Sequence, residues 1–156
     1  MKFIYGKNDW STIERGEENC YLLTNGLGGF SSLTMIGSNA RNDHALLMAC
    51  LKAPNNRYNI ISNLGQRLKI NHAYLDFSSQ KYLDSKHNRS GFNYQSKFSF
   101  EDIPEWTYHI HGVEIIKKVA MRQNKNTVAI TYEINNFTNY EVESEITPYM
   151  EFIKKG

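Results

Sequence analysis

The last third of the chain carries the most regular pattern of apolar and polar positions. From Val113 to Ala120 and again from Thr127 to Ile134 the two kinds of residue alternate. Val128, Ile130, Tyr132 and Ile134 fall on one side, and Thr127, Ala129, Thr131 and Glu133 on the other. Successive side chains of a strand point to opposite faces, so this period of two predicts half-buried strands. The tetrad Gln123-Asn124-Lys125-Asn126 between the runs is rich in turn formers and predicts a hairpin. Upstream, Trp106, Tyr108 and Ile110 alternate with Thr107, His109 and His111, and Gly112 offers a turn into Val113. Downstream, Val142, Ser144 and Ile146 alternate with Glu141, Glu143 and Glu145. Residues 105–147 therefore predict a four-stranded antiparallel meander.

The middle of the chain predicts more strands. Asn59-Ile60-Ile61 and Leu68-Lys69-Ile70 flank Gly65, Tyr74 to Phe77 forms another short extended run, and Lys97-Phe98-Ser99-Phe100 alternates cleanly. Ser85 to Gly91 is polar and reads as a loop. The apolar run Asp43 to Leu51 fits either a helix or a buried strand, because a short continuous run has no period to decide between them. The expected class is all-β, an antiparallel sandwich with at most one short helix. No repeat or composition shift divides residues 1–156, so a single domain is expected.

Composition narrows the function classes. With 18 basic and 16 acidic residues the net charge is +2, which gives no reason to expect nucleic acid or a membrane surface as partner. No apolar run approaches the roughly 18 residues of a membrane span. The start, MKFIYGKNDW, turns polar too early for a signal-peptide core, so the cytoplasm is the expected compartment. Cys20 and Cys50 read there as reduced thiols, one of them buried. His109 and His111 sit two apart on a strand, but a metal needs further ligands at ligand spacing, so no metal and no cofactor is expected.

The most distinctive segment is Leu22 to Ala49, LLTNGLGGFSSLTMIGSNARNDHALLMA. Asn25-Gly26-Leu27-Gly28-Gly29 is a glycine-dense turn, suited to positive φ or a close backbone approach. It lacks both the Lys-Ser/Thr ending and the G-x-G-x-x-G spacing of a phosphate loop, and Ser31 to Thr34 continues as strand-like sequence. The segment resembles the signature of the N-terminal domain of bacterial and archaeal glycogen debranching enzymes, roughly LLTNGLGGYASGT, a short gap, then N-T-R-R-Y-H-G-L-L. Leu22 to Ser31 match almost residue for residue, and Asn39, Arg41, His44, Leu46 and Leu47 remain from the second half. Further blocks follow in order. Asn59 to Ile70 resembles a V-L-L-S-K-L-E-E block. Phe98, Pro104-Glu105-Trp106-Thr107-Tyr108, Gly112-Val113-Glu114 and Lys117-Lys118-Val119 resemble F-x-x-x-P-x-W-x-Y-x-x-x-G-V-x-L-x-K-x-V. Met121, Asn126-Thr127-Val128 and Tyr132 complete the likeness.

The resemblance implies a supersandwich-like β domain that precedes a helical barrel hydrolysing α-1,6 branches of glycogen. Paired carboxylates do that chemistry, and in the family they belong to the barrel. This chain is thus expected to be non-catalytic on its own, to have the barrel as partner in cis or in trans, and to shape one rim of a glucan cleft. A free-standing glucan-binding or assembly module is the alternative. The chain departs from the pattern in two places: Ala40-Arg41-Asn42-Asp43-His44-Ala45 replaces T-R-R-Y-H-G, and Ser62-Asn63-Leu64-Gly65-Gln66 replaces S-K-L-E-E. Arg41 and His44 are the best candidates for contact with glucan or the barrel, since guanidinium and imidazole suit hydroxyls. Asn25 in the glycine turn is grouped with them. Trp106 offers a ring on which a pyranose could stack, although its alternation with Thr107 and His109 points it at the core. Glu141, Glu143 and Glu145 read as a solvated sheet face. Finally, Ile146 to Met150 resembles a mid-domain strand of the family, so a sandwich cut short is expected, with α-glucan as ligand and a second copy covering the open edge.

Overall fold

The structure, a computed structural model, describes residues 1–155 and is a sandwich of two antiparallel sheets. The strands are β1 (Phe3–Gly6), β2 (Leu23–Thr24), β3 (Phe30–Ser32), β4 (Ala45–Lys52), β5 (Asn56–Ile70), β6 (Ala73–Asp76), β7 (Ser79–Gln80), β8 (Arg89–Ser90), β9 (Gln95–Phe100), β10 (Pro104–Ile110), β11 (Val113–Met121), β12 (Val128–Asn136) and β13 (Val142–Lys155). One sheet has the order β1-β9-β10-β11-β12. The other runs β13-β5-β4-β3-β2, with β6 also paired to β5, and β7-β8 forms a separate ribbon. The single α-helix among the described residues, α1 (Ile13–Gly16), is one turn long and capped by the Thr12 side chain.

Alternation explains β10 to β12. Trp106, Tyr108, Ile110, Val113, Ile115 and Val119 all point inward and are fully buried between the sheets. The turn at residues 122–127 joins β11 to β12 as a hairpin, in register from Val113↔Asn136 to Met121↔Val128. The ambiguous apolar run is strand: every residue from Ala45 to Cys50 on β4 is buried. A strand covered on both faces loses the alternation that identifies it, which is why the pattern alone left it open. Asn59-Ile60-Ile61 and Leu68-Lys69-Ile70 are one continuous strand, β5, running straight through Gly65.

Of the four strands expected over residues 105–147 only β10, β11 and β12 form the meander, and β9, not β13, is its fourth member. After β12 the chain crosses to the second sheet, and β13 pairs antiparallel with β5 from Val142↔Ile70 to Lys155↔Arg57. Two features favour that edge. β5 offers 15 residues of backbone against nine on β12. Its cations also stand opposite the acidic residues of β13, with Glu143 across from the half-buried Lys69 and Glu145 across from the exposed Arg67. Arg67 donates from Nη2 to both carboxylate oxygens of Glu145 at 2.8 Å. Opposite charges directly across a ladder help fix its register.

One inward position is polar. Lys117 on β11 is 1% exposed, with its Nζ 5.0 Å from the centre of the Trp106 ring and 5.8 Å from that of Tyr132. Burial pushes its ammonium pKa down to about 7. The aromatic faces return part of that cost as cation–π attraction.

Candidate functional site

The glycine turn is built around Asn25. Its Oδ1 accepts hydrogen bonds from the backbone N–H groups of Leu27 (2.9 Å) and Gly29 (3.1 Å), and its Nδ2 donates to Lys125 O and Asn126 Oδ1, both at 3.0 Å. Asn124 N–H donates to Asn25 O at 2.7 Å, and Gln123 Nε2 to Thr24 O at 2.7 Å. The turn formers of the β11–β12 hairpin and the glycine turn are thus fastened to each other. Gly28 takes φ +89°, a conformation that L side chains rarely adopt. At Gly29 the constraint is space, since a Cβ would lie 2.8 Å from both Asn25 Nδ2 and Met48 O.

Beside this turn lies a cavity of about 580 Å³, walled by the turn's glycines, Phe30, Arg41, Asp43, His44 and Arg57. The loop before β4 sets His44. Its Nδ1 accepts from the backbone N–H groups of Ala40 (3.0 Å) and Arg41 (3.2 Å), which fixes the proton of the neutral ring on Nε2. That Nε2 has no partner among the described residues. Burial lowers the imidazole pKa, opposed by Asp43 and reinforced by Arg41, so the ring stays neutral at pH 7. Arg57, at the start of β5, donates from Nε to Gly28 O at 2.9 Å and lies 5.8 Å from the Phe30 ring centre. Arg41 and Asp43 are exposed at the rim. The site therefore presents two guanidinium groups and one carboxylate, while the His44 ring stands in the wall with its Nε2 buried.

The four residues singled out from the sequence part company here. Arg41 and His44 line the cavity. Asn25 is fully buried beneath it, with both amide atoms already engaged, so it holds the turn rather than meeting a ligand. Trp106 lies elsewhere, in the core, with its ring edge-on to Tyr21 (5.5 Å between centroids) and tilted against Phe98 (5.3 Å). Both faces of its indole are occupied by protein, which removes it as a stacking platform. Arg57 was missed. It precedes the strand-like run at Asn59, and only the tertiary approach of the glycine turn gives it a role.

The exposed carboxylates of β13 lie away from this cavity and stay on a solvated face, Glu145 paired with Arg67. Hydrolysis of a glycosidic bond calls for two carboxyl groups roughly 5–9.5 Å apart across it. The cavity wall supplies one, Asp43. What the site can do is donate hydrogen bonds, to hydroxyls or to the carbonyls and carboxylates of a packed partner.

The family model described as glycogen debranching enzyme N terminal matches residues 19–156, which include the glycine turn, every wall of the cavity and both sheets except β1. No curated protein and no solved structure matches the chain. The chain belongs to that family.

Proposed function

We propose that this member of the glycogen debranching enzyme N-terminal family is a non-catalytic domain that packs on a helical catalytic barrel, in cis or in trans, and forms one rim of its glucan cleft. The observation that carries the reading is the make-up of the glycine-turn cavity, in which Arg41 and Arg57 are gathered beside the His44 ring with a single carboxylate, Asp43. Such a surface recognises oxygen-rich partners and has no acid–base pair to cleave them. Incubation of the chain with a branched limit dextrin is expected to release no glucose. Measurable release overturns the proposal.

A second reading, a free-standing glucan-binding or assembly module, is favoured by the exposed tyrosines Tyr82 and Tyr149. Affinity electrophoresis in glycogen gels separates the two, because retardation of the chain alone favours the module. No helix of the described residues is long and apolar enough to cross a membrane. We place the domain in the cytoplasm, supported by the thiols of Cys20, exposed, and Cys50, buried, which are unpaired.

A further inference from the structure

The glycine-turn cavity shares Phe30, Asp43 and Arg57 with a neighbouring hollow of about 410 Å³, whose wall also includes Lys155. Three cations, Arg41, Arg57 and Lys155, therefore stand around one carboxylate, Asp43. None of the three forms an ion pair among the described residues, whereas Arg67, Lys81, Arg89 and Lys118 elsewhere on the surface each have an acidic partner. Two more exposed cations lie on adjoining turns. Lys52 closes β4 opposite Asn56, and the carbonyl of Lys125 accepts from the Asn25 amide.

The fold sets both arginines before any ligand arrives. The Arg41 N–H is held by His44 Nδ1 at 3.2 Å, while Arg41 itself is exposed. Arg57 is anchored through Nε on Gly28 O at 2.9 Å, which leaves its two Nη groups without a partner among the described residues. The turn's own backbone adds little, because the N–H groups of Leu27 and Gly29 are already taken by Asn25 Oδ1. Recognition falls to the guanidinium forks, whose planar donors match the oxygens of an anion.

We propose that this double hollow binds a small organic molecule through a dianionic phosphate group. Charge decides the class. Three cations against one carboxylate leave an excess of about two positive charges, and a phosphate monoester carries about −1.5 to −2 near pH 7. A lone carboxylate offsets only part of that excess, and a neutral ligand offsets none. Asp43 works against the phosphate and holds its affinity down. The cavity of about 580 Å³ is also larger than a bare ion needs and lies within the roughly 300–1,000 Å³ of small-molecule sites. Leu22 and Phe30 give the organic part an apolar wall. This inference goes beyond the packing role given to the same surface and does not rest on it, since anion binding and glucose release are read separately.

Titration calorimetry of the full chain with AMP, glycerol 3-phosphate and uncharged adenosine tests it. At least one of the two phosphates is expected to bind, more weakly as salt is added, and adenosine is expected not to bind. Tighter binding of AMP assigns a nucleotide, and tighter binding of glycerol 3-phosphate a smaller ester. Arg41→Gln is expected to weaken the affinity about fivefold or more, by removing a charge-assisted donor. Asp43→Asn is expected to tighten it about threefold or more, by removing a like charge. Arg89→Gln, in the β7–β8 ribbon, is expected to leave it unchanged. Arg41 and Asp43 are exposed, and circular dichroism checks that each variant is folded. The proposal is overturned if neither phosphate binds, if adenosine matches AMP, if Arg41→Gln keeps wild-type affinity, or if Asp43→Asn fails to tighten binding.

Discussion

β11 and β13 are both regular strands, and they have opposite fates. The inward residues of β11, Val113, Ile115, Lys117 and Val119, are sealed between two sheets. On β13 only Val142 and Ile146 reach the core, and beyond them Tyr149, Met150, Phe152 and Ile153 are exposed. β11 has a strand on each side, whereas β13 has β5 alone. Alternation decides which way a side chain points, and position in the sheet decides whether anything covers it. The outer edge of β13 is also broken by Pro148, by two register shifts and by a left-handed residue, Phe152 at φ 56°. Those are devices that discourage a further strand from adding to an edge.

The sharpest test of this contrast removes one aromatic ring from each region. Trp106→Ala, opposite Lys117 on β11, is expected to cost about 3–5 kcal/mol in urea unfolding, because it leaves a large hole in a packed core. Phe152→Ala is expected to change stability by less than about 0.5 kcal/mol. Equal losses would abolish the distinction.

The next largest effect concerns the buried ammonium of β11. Lys117 has a folded-state pKa of about 7 against an ordinary 10.5, so between those values the unfolded chain binds more protons than the folded one. Stability therefore rises with pH across that window, by at most about 1.4 kcal/mol per unit. Near pH 10 the rise ends, because burial pushes the Tyr108 and Tyr132 hydroxyls upward and their ionisation begins to favour unfolding. Lys117→Met is expected to flatten the profile between pH 7 and 9.5. A flat wild-type profile in thermal melts would show that the ammonium is not held as the structure places it.

Asn25→Ala should cost about 1–3 kcal/mol, since it strands the N–H groups of Leu27 and Gly29. Thermal melts of this variant against Asn25→Asp separate loss of the acceptor from loss of the donor, and the aspartate is expected to recover part of the deficit. The smallest effect belongs to β13 again. Arg67→Ala removes a two-pronged but solvent-exposed ion pair with Glu145 and is expected to cost less than about 1 kcal/mol, shrinking further in high salt.

The meander core was legible because Tyr108, Ile110, Val113 and Ile115 alternate without interruption. β4 was only half legible, since burial on both faces erases a strand's period. The crossing of β13 was illegible, because its alternation is the same whichever sheet it joins and its partner is set by β5, more than 70 residues earlier. At the glycine-turn cavity, residue type pointed to Arg41 and His44, but type cannot tell a staple from a contact. Asn25 and Trp106 were named for the same chemistry and are claimed by the fold. Arg57 needed a neighbour brought in from 29 residues away.

The Asn25 amide joins two turns that the chain separates by 100 residues. One turn belongs to each sheet, so the amide acts as a clasp across the mouth of the sandwich. Neither turn can peel away without releasing the other. Their amide protons should accordingly exchange with solvent as one unit, at a common rate, and the cavity beside them should open and close with that unit. A domain clasped at this end can pass a movement of its β11–β12 hairpin directly to the wall of the glycine-turn cavity.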